Sequence, residues 1–270
     1  MNQFHLSRPL IACAFITLLC ANQLHADQTA ENGRAILKQN KDAVVTVLLV
    51  LKQTISFPGS PSQEMETKVE STGTVIGADG LTVVSLSEVD PSSLMDIMSS
   101  GNPQMQGFKM DTEVQDAKML MSDGTEVAAE VILRDRELDM AFVRPLEKAT
   151  TPFTHVNLAD SGIPLQLDQI ISINQLGKVA RRAHSISVER IDAIVTKPRT
   201  FYIPGNDPTN TGLGSPAFTL EGKFIGVFFI RAIKATGGGN RFSGAQDNVA
   251  VILLPAADIQ EAADQAPPFE

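Results

Sequence analysis

Thr211-Gly212-Leu213-Gly214-Ser215-Pro216-Ala217-Phe218 packs two glycines and a proline into eight residues and opens directly onto a strand–turn–strand pattern. Phe218 to Val227 is apolar on either side of Glu221-Gly222, where the glycine supplies the positive φ of a tight hairpin turn. The same grammar extends outward from this stretch. Ala43 to Leu51, Ser71 to Ile76, Thr82 to Ser85, Glu126 to Leu133 and Met140 to Val143 are short runs rich in β-branched residues. Gln169 to Ile173, Ser185 to Ile194, Lys223 to Ile230 and Asn248 to Leu253 continue the series. Pro58-Gly59, Ala78-Asp79-Gly80 and Ser122-Asp123-Gly124 punctuate them. Many short strands separated by turn signals predict an all-β barrel or sandwich.

Helical spacing is confined to the two ends, at Ala30 to Gln39 and Pro255 to Gln265. The segment 90–118 is Met-rich and weakly patterned, and reads as an inserted loop. Six methionines lie in 95–121 (Met95, Met98, Met105, Met110, Met119 and Met121). Thioethers can bind Cu(I), but no His or Cys accompanies these, so loop packing or an apolar contact face is the better reading. Residues 144–153 carry two prolines and read as a connector between halves of similar size.

The first 26 residues read as an export signal. Arg8 is followed by an apolar run from Leu10 to Ala21, too short to span a bilayer, and Leu24-His25-Ala26 offers a cleavage site. Cys20 raises the alternative of a lipid anchor, but Leu19 stands where such sites want a small residue. Both cysteines, Cys13 and Cys20, would leave with the signal, so the exported chain must rely on its core rather than on disulfides. No later stretch is apolar and long enough for a transmembrane helix. The expected location is the periplasm or the exterior.

Composition excludes some partners. With 31 acidic and 22 basic residues the chain lacks the basic surface that nucleic acid requires. Arg181-Arg182 is the one small basic knot, and a solvated loop accounts for it. Tryptophan is missing and aromatics make up 5%, too few for stacking platforms. Gly237-Gly238-Gly239 does not sit between a strand and a helix, so it reads as a flexible hairpin loop rather than a phosphate cradle. No metal or cofactor is expected.

Across roughly residues 40–256 the chain resembles the trypsin-like serine proteases of the HtrA/Deg type. Gly73-Thr74-Val75-Ile76 and Asp79-Gly80-Leu81-Thr82-Val83-Val84-Ser85 look like that family's strand pair ahead of its catalytic histidine. Ser122-Asp123-Gly124, Ala129-Glu130-Val131, Arg134-Asp135 and Leu138-Asp139-Met140-Ala141 are similar to the run that ends on the triad aspartate. Asp160-Ser161-Gly162, Leu167-Asp168-Gln169 and Ile173-Asn174-Gln175 resemble a second-half segment, without its glycine and proline. Ser187 to Ile194 resembles the strand before the nucleophile loop, and Thr211 to Pro216 resembles the loop itself. The resemblance implies two antiparallel six-stranded β-barrels with short terminal helices. It divides the chain into a signal (1–26), an N-terminal helix and linker (27–42), a first barrel (43–148, with the Met-rich insertion 90–118), a second barrel (153–254) and a C-terminal helix and tail (255–270).

The resemblance also implies a damaged site. Ser-His-Asp hydrolysis needs a nucleophile, a base and a group that orients the base, beside backbone donors for the oxyanion. Asp139 matches the triad aspartate, but Ser87 stands at the histidine position and Leu213 at the serine position. In the oxyanion loop Thr211, Gly212, Gly214 and Ser215 fill the remaining places, with Thr211 and Ser215 replacing glycines. Of the two histidines after the signal, His155 and His184, neither is expected beside Asp139. The leading expectation is an exported, non-catalytic protease homologue that binds a peptide or unfolded protein segment between its barrels. A related active protease is a further candidate partner, and a homo-oligomer is in keeping with the family. The alternative is a divergent endopeptidase using Ser215 or Ser87.

Overall fold

The computed structural model describes residues 28–99, 105, 107–205, 212–233 and 249–269. Thr211, the 237–239 glycines and the first 26 residues, read above as an export signal, therefore lie outside the described residues. The described chain forms two closed, antiparallel, six-stranded barrels, the arrangement of a chymotrypsin-like double barrel. The first contains β1 (Val44–Ser56), β2 (Gln63–Val75), β3 (Thr82–Ser85), β4 (Lys109–Leu120), β5 (Glu126–Asp135) and β6 (Met140–Pro145), in the order β1-β2-β3-β6-β5-β4. The second contains β7 (Gln169–Gln175), β8 (His184–Val195), β9 (Phe201–Pro204), β10 (Pro216–Thr219), β11 (Phe224–Ala232) and β12 (Val249–Pro255), in the order β10-β11-β12-β9-β8-β7.

Strand alternation distributes the apolar residues among three cores. In β1, Val45, Val47, Leu49 and Leu51 point into the first barrel, where Val84, Ala141 and Val143 meet them. Ile170, Ile191, Ala217, Phe228 and Leu253 fill the second barrel. The opposite faces supply a third cluster between the barrels, from Val44, Met140 and Phe142 on one side to Ile171, Val227 and Phe229 on the other. Helix α1 (28–40) closes this seam with Ile36, and α4 (Ala256–Ala263) adds Ile259 and Ala262. Both terminal helices lie where helical spacing predicts them.

The segment 90–118 departs from the sequence reading. It is not one inserted loop. Short helices α2 (Leu86–Val89) and α3 (Ser92–Ser99) follow β3, and from Lys109 the chain is already β4. Edge-like alternation of charged and apolar residues hides this strand, since only Ala117 and Met119 in it are buried. Met119 lies inside the first barrel, with the Thr82 hydroxyl 3.8 Å from its sulfur, and Met121 packs against the same core. These two methionines therefore serve the core rather than a loop.

Candidate functional site

The β5–β6 turn places Asp139. Asp135 accepts hydrogen bonds from the backbone N–H of Glu137 (2.9 Å) and Leu138 (3.0 Å), which folds the chain back. Asp139 then adopts φ 57°, a left-handed conformation that aspartate tolerates better than most residues. This turn aims its carboxylate at the start of α2 and at β11 of the other barrel.

Four donors fill that carboxylate. Oδ1 accepts from the Ser87 N–H (2.8 Å) and the Ser87 hydroxyl (2.5 Å). Oδ2 accepts from the Ser85 hydroxyl (2.7 Å) and the Ile230 N–H (3.0 Å). The Asp139 carbonyl also accepts the Leu86 N–H at 2.8 Å. Ser85 precedes α2 but makes no capping bond of its own. Asp139 thus satisfies the helix's first donors from another hairpin, and ties the first barrel to β11 of the second. Burial raises the Asp139 carboxyl above its usual range, while the Ser87, Ser85 and Ile230 donors oppose the rise.

Beside it stands a residue that the sequence reading passed over. Burial pushes the Glu88 carboxyl up to about 7; the Ser71 hydroxyl, donating at 2.5 Å, opposes this and the Asp139 charge adds to it. Its only sequence signal is a charged residue one place after the histidine position.

The Gly212–Pro216 turn approaches from the second barrel. Gly214 has φ 79°, and a Cβ there would run into the Thr72 carbonyl of β2, so only glycine fits. Its N–H donates to Phe228 O (2.8 Å) and its carbonyl accepts the Thr74 hydroxyl (2.7 Å). The Ser215 N–H donates to Gly212 O at 3.2 Å. These two backbone donors are committed within the protein and do not face a substrate. Ser215 is fully buried, and its hydroxyl donates to Asn174 Oδ1 at 3.1 Å. Asn174 Oδ1 also accepts from Thr72 at 3.1 Å, and so pins the turn to both barrels. An amide oxygen is no proton acceptor for catalysis. Leu213, half-buried, brings no nucleophile. Asn174→Ala is expected to leave both hydroxyls without this acceptor and to cost about 1–2 kcal/mol in denaturant unfolding; no change would mean that the turn is held by Gly214 alone.

The structure brings Ser87 and Asp139 together, and Gly212, Gly214 and Ser215 with Asn174. The histidines stand apart from Asp139: His155 Nδ1 lies 2.9 Å from Phe153 O, and His184 Nε2 lies 3.2 Å from Val44 O. Beside Ser87 and Asp139 lies a small, solvent-open cleft lined also by Ile230 and Ala232 of β11, by Leu86, Leu94 and Ile97, and by the charged Asp90, Arg136 and Glu137. Beyond Ile230 the side of β11 away from β12 is not covered by β10, whose pairing spans only Pro216–Phe218. Among the described residues no cluster of His, Cys, Asp or Glu could hold a metal ion, and no helix is long and apolar enough to cross a membrane. No protein-family model matches the chain, and no curated protein matches it. The double barrel, with a carboxylate from the first barrel held at the second, thus resembles that of a trypsin-like protease in architecture.

Proposed function

We propose that the chain is an exported homologue of the HtrA/Deg-type serine proteases that has given up hydrolysis and binds an extended peptide or unfolded protein segment in the inter-barrel cleft. The observation that carries this reading is the saturation of Asp139. An orienting aspartate must offer an acceptor to its imidazole, and here both oxygens already hold two donors each. Among the described residues no strand pairs with β11 on this side past Ile230, and its main-chain groups there suit strand addition beside a wall of mixed polarity. Export rests on the signal-like first 26 residues alone.

One observation favours the alternative of a divergent hydrolase. The Ser87 hydroxyl lies 2.5 Å from a carboxylate whose proton affinity burial has raised. Against it, the Ser87 N–H is itself bound to Asp139 and does not serve an oxyanion.

Purified protein treated with a fluorophosphonate probe and with casein is expected to show no labelling and no cleavage. Unfolded casein is expected to bind reversibly, and Ala232→Arg, which fills the cleft, to abolish that binding. Labelling that vanishes in Ser87→Ala would establish the hydrolase instead.

A further inference from the structure

Arg144 has no place in the cleft, yet it is the most buried arginine described, at 7% exposure. It lies near the end of β6, on the same face as Phe142, where the inter-barrel core ends. Its Nη1 donates to the Pro267 carbonyl (2.7 Å), its Nη2 to the Pro268 carbonyl (3.3 Å), and its guanidinium carbon stands 4.7 Å from the centre of the Phe269 ring. We propose that Arg144 and its surround form a binding site for a proline–proline–aromatic segment, and that the tail 267–269 is its resident occupant.

Three features make this recognition rather than incidental contact. Consecutive prolines hold the chain extended and leave carbonyls without local partners. The guanidinium fork meets two successive carbonyls at once, which the single point charge of lysine cannot do. The ring face supplies the remaining attraction for a cation out of water. Among the described residues the partners of Arg144 are two neutral carbonyls and a ring, and no described ion pair involves it. Without an occupant of this type the guanidinium would face water, so the occupant's contribution is the difference between these contacts and hydration.

The tail is delivered by α4, which packs on β11 and β12. Arg199 clamps this helix through Asp258 (2.7 Å) and Glu261 (2.9 Å). The occupied site therefore straps the first barrel to the second on the side of β6 away from Asp139. A short tether also gives the tail an effective concentration on the order of millimolar, so the same segment offered in trans competes only when the tail is weakened.

The test uses the whole chain. A fluorescein-labelled peptide Asp-Gln-Ala-Pro-Pro-Phe, copying 264–269, is titrated by anisotropy. The intact protein is expected to bind it weakly or not at all. The variant Pro267→Ala/Pro268→Ala/Phe269→Ala, with Arg144 intact, is expected to bind at least tenfold more tightly, and adding Arg144→Gln to abolish the gain. Binding by the tail variant no tighter than by the intact protein, or binding indifferent to Arg144→Gln, overturns the proposal. If the Arg144→Gln chain does not fold, a peptide with alanine for phenylalanine decides: equal affinity of the two peptides for the tail variant overturns it as well.

Discussion

Asp139→Ala is expected to destabilise the protein by about 3 kcal/mol, and to lower its melting temperature by about 10 °C, a loss expected of a structural residue rather than of a catalytic one. The substitution strands the Ile230 and Ser87 N–H groups and the Ser85 hydroxyl in a region where Asp139 itself is 8% exposed. Each buried donor left unmet costs about 1–3 kcal/mol, and removing the desolvation of the carboxylate gives part of this back. Asp139→Asn is not a mild substitute. Each carboxylate oxygen faces one backbone N–H, Ser87 at Oδ1 and Ile230 at Oδ2. Whichever way the amide turns, its NH2 meets a backbone donor that cannot rotate away. Urea unfolding of the wild type and both variants measures this. A loss under about 1 kcal/mol for alanine would show that the carboxylate is dispensable to the fold and return it to a functional role.

Glu88→Gln is expected to act in the opposite direction and only above mildly acidic pH. The ordinary value for this carboxyl is 4.5, and burial in the fold moves it to about 7. The native protein therefore keeps a proton that the unfolded chain releases between these values. Stability falls as pH rises through this window, and the loss is complete above the folded value. A displacement of this size corresponds to about 3 kcal/mol. Glutamine retains an acceptor for Ser71 and carries no charge toward Asp139. The variant should match the wild type near pH 4 and exceed it by up to about 3 kcal/mol at pH 8. Asp139, also raised, loses stability with rising pH in the same sense, while Glu70 runs the other way. Partial burial opposes the Glu70 charge, and Lys178 and Arg182 overcome that and hold its carboxyl low. Comparing variant with wild type at each pH cancels the Glu70 contribution, while the coupling of Asp139 to Glu88 is part of the measured difference. Equal stability of the two chains at pH 8 would show that Glu88 is solvated there.

The barrels were legible because their signals are local. β-Branched runs, Asp-Gly and Glu-Gly turns and the spacing of the glycines each act within a few residues. Gly222 and Gly124 do take positive φ at the turns read from the sequence. Where alternation was masked by charge, as in Lys109–Leu120, the same reading took a strand for a loop, since a stave exposed on one face carries few apolar residues.

The sequence singled out the run Leu138-Asp139-Met140-Ala141 and the turn at Gly214 but not their wiring; both lie where the two barrels meet. What those residues do there depends on partners that sequence distance conceals: Ile230 is 91 residues from Asp139, Asn174 is 102 from Thr72, and the Pro267 carbonyl is 123 from Arg144. The sequence alone determined that the chain forms many short strands separated by tight turns, as an all-β barrel requires, and that Leu213 carries no nucleophilic atom and Ser87 no base. Only the tertiary structure decided that Asp139 caps a helix and joins two barrels, that Glu88 is pressed beside it, and that Arg144 is sealed by the tail. Propensity and periodicity act along the chain, whereas hydrogen bonding and desolvation act through space, and they take their values only once the barrels have closed.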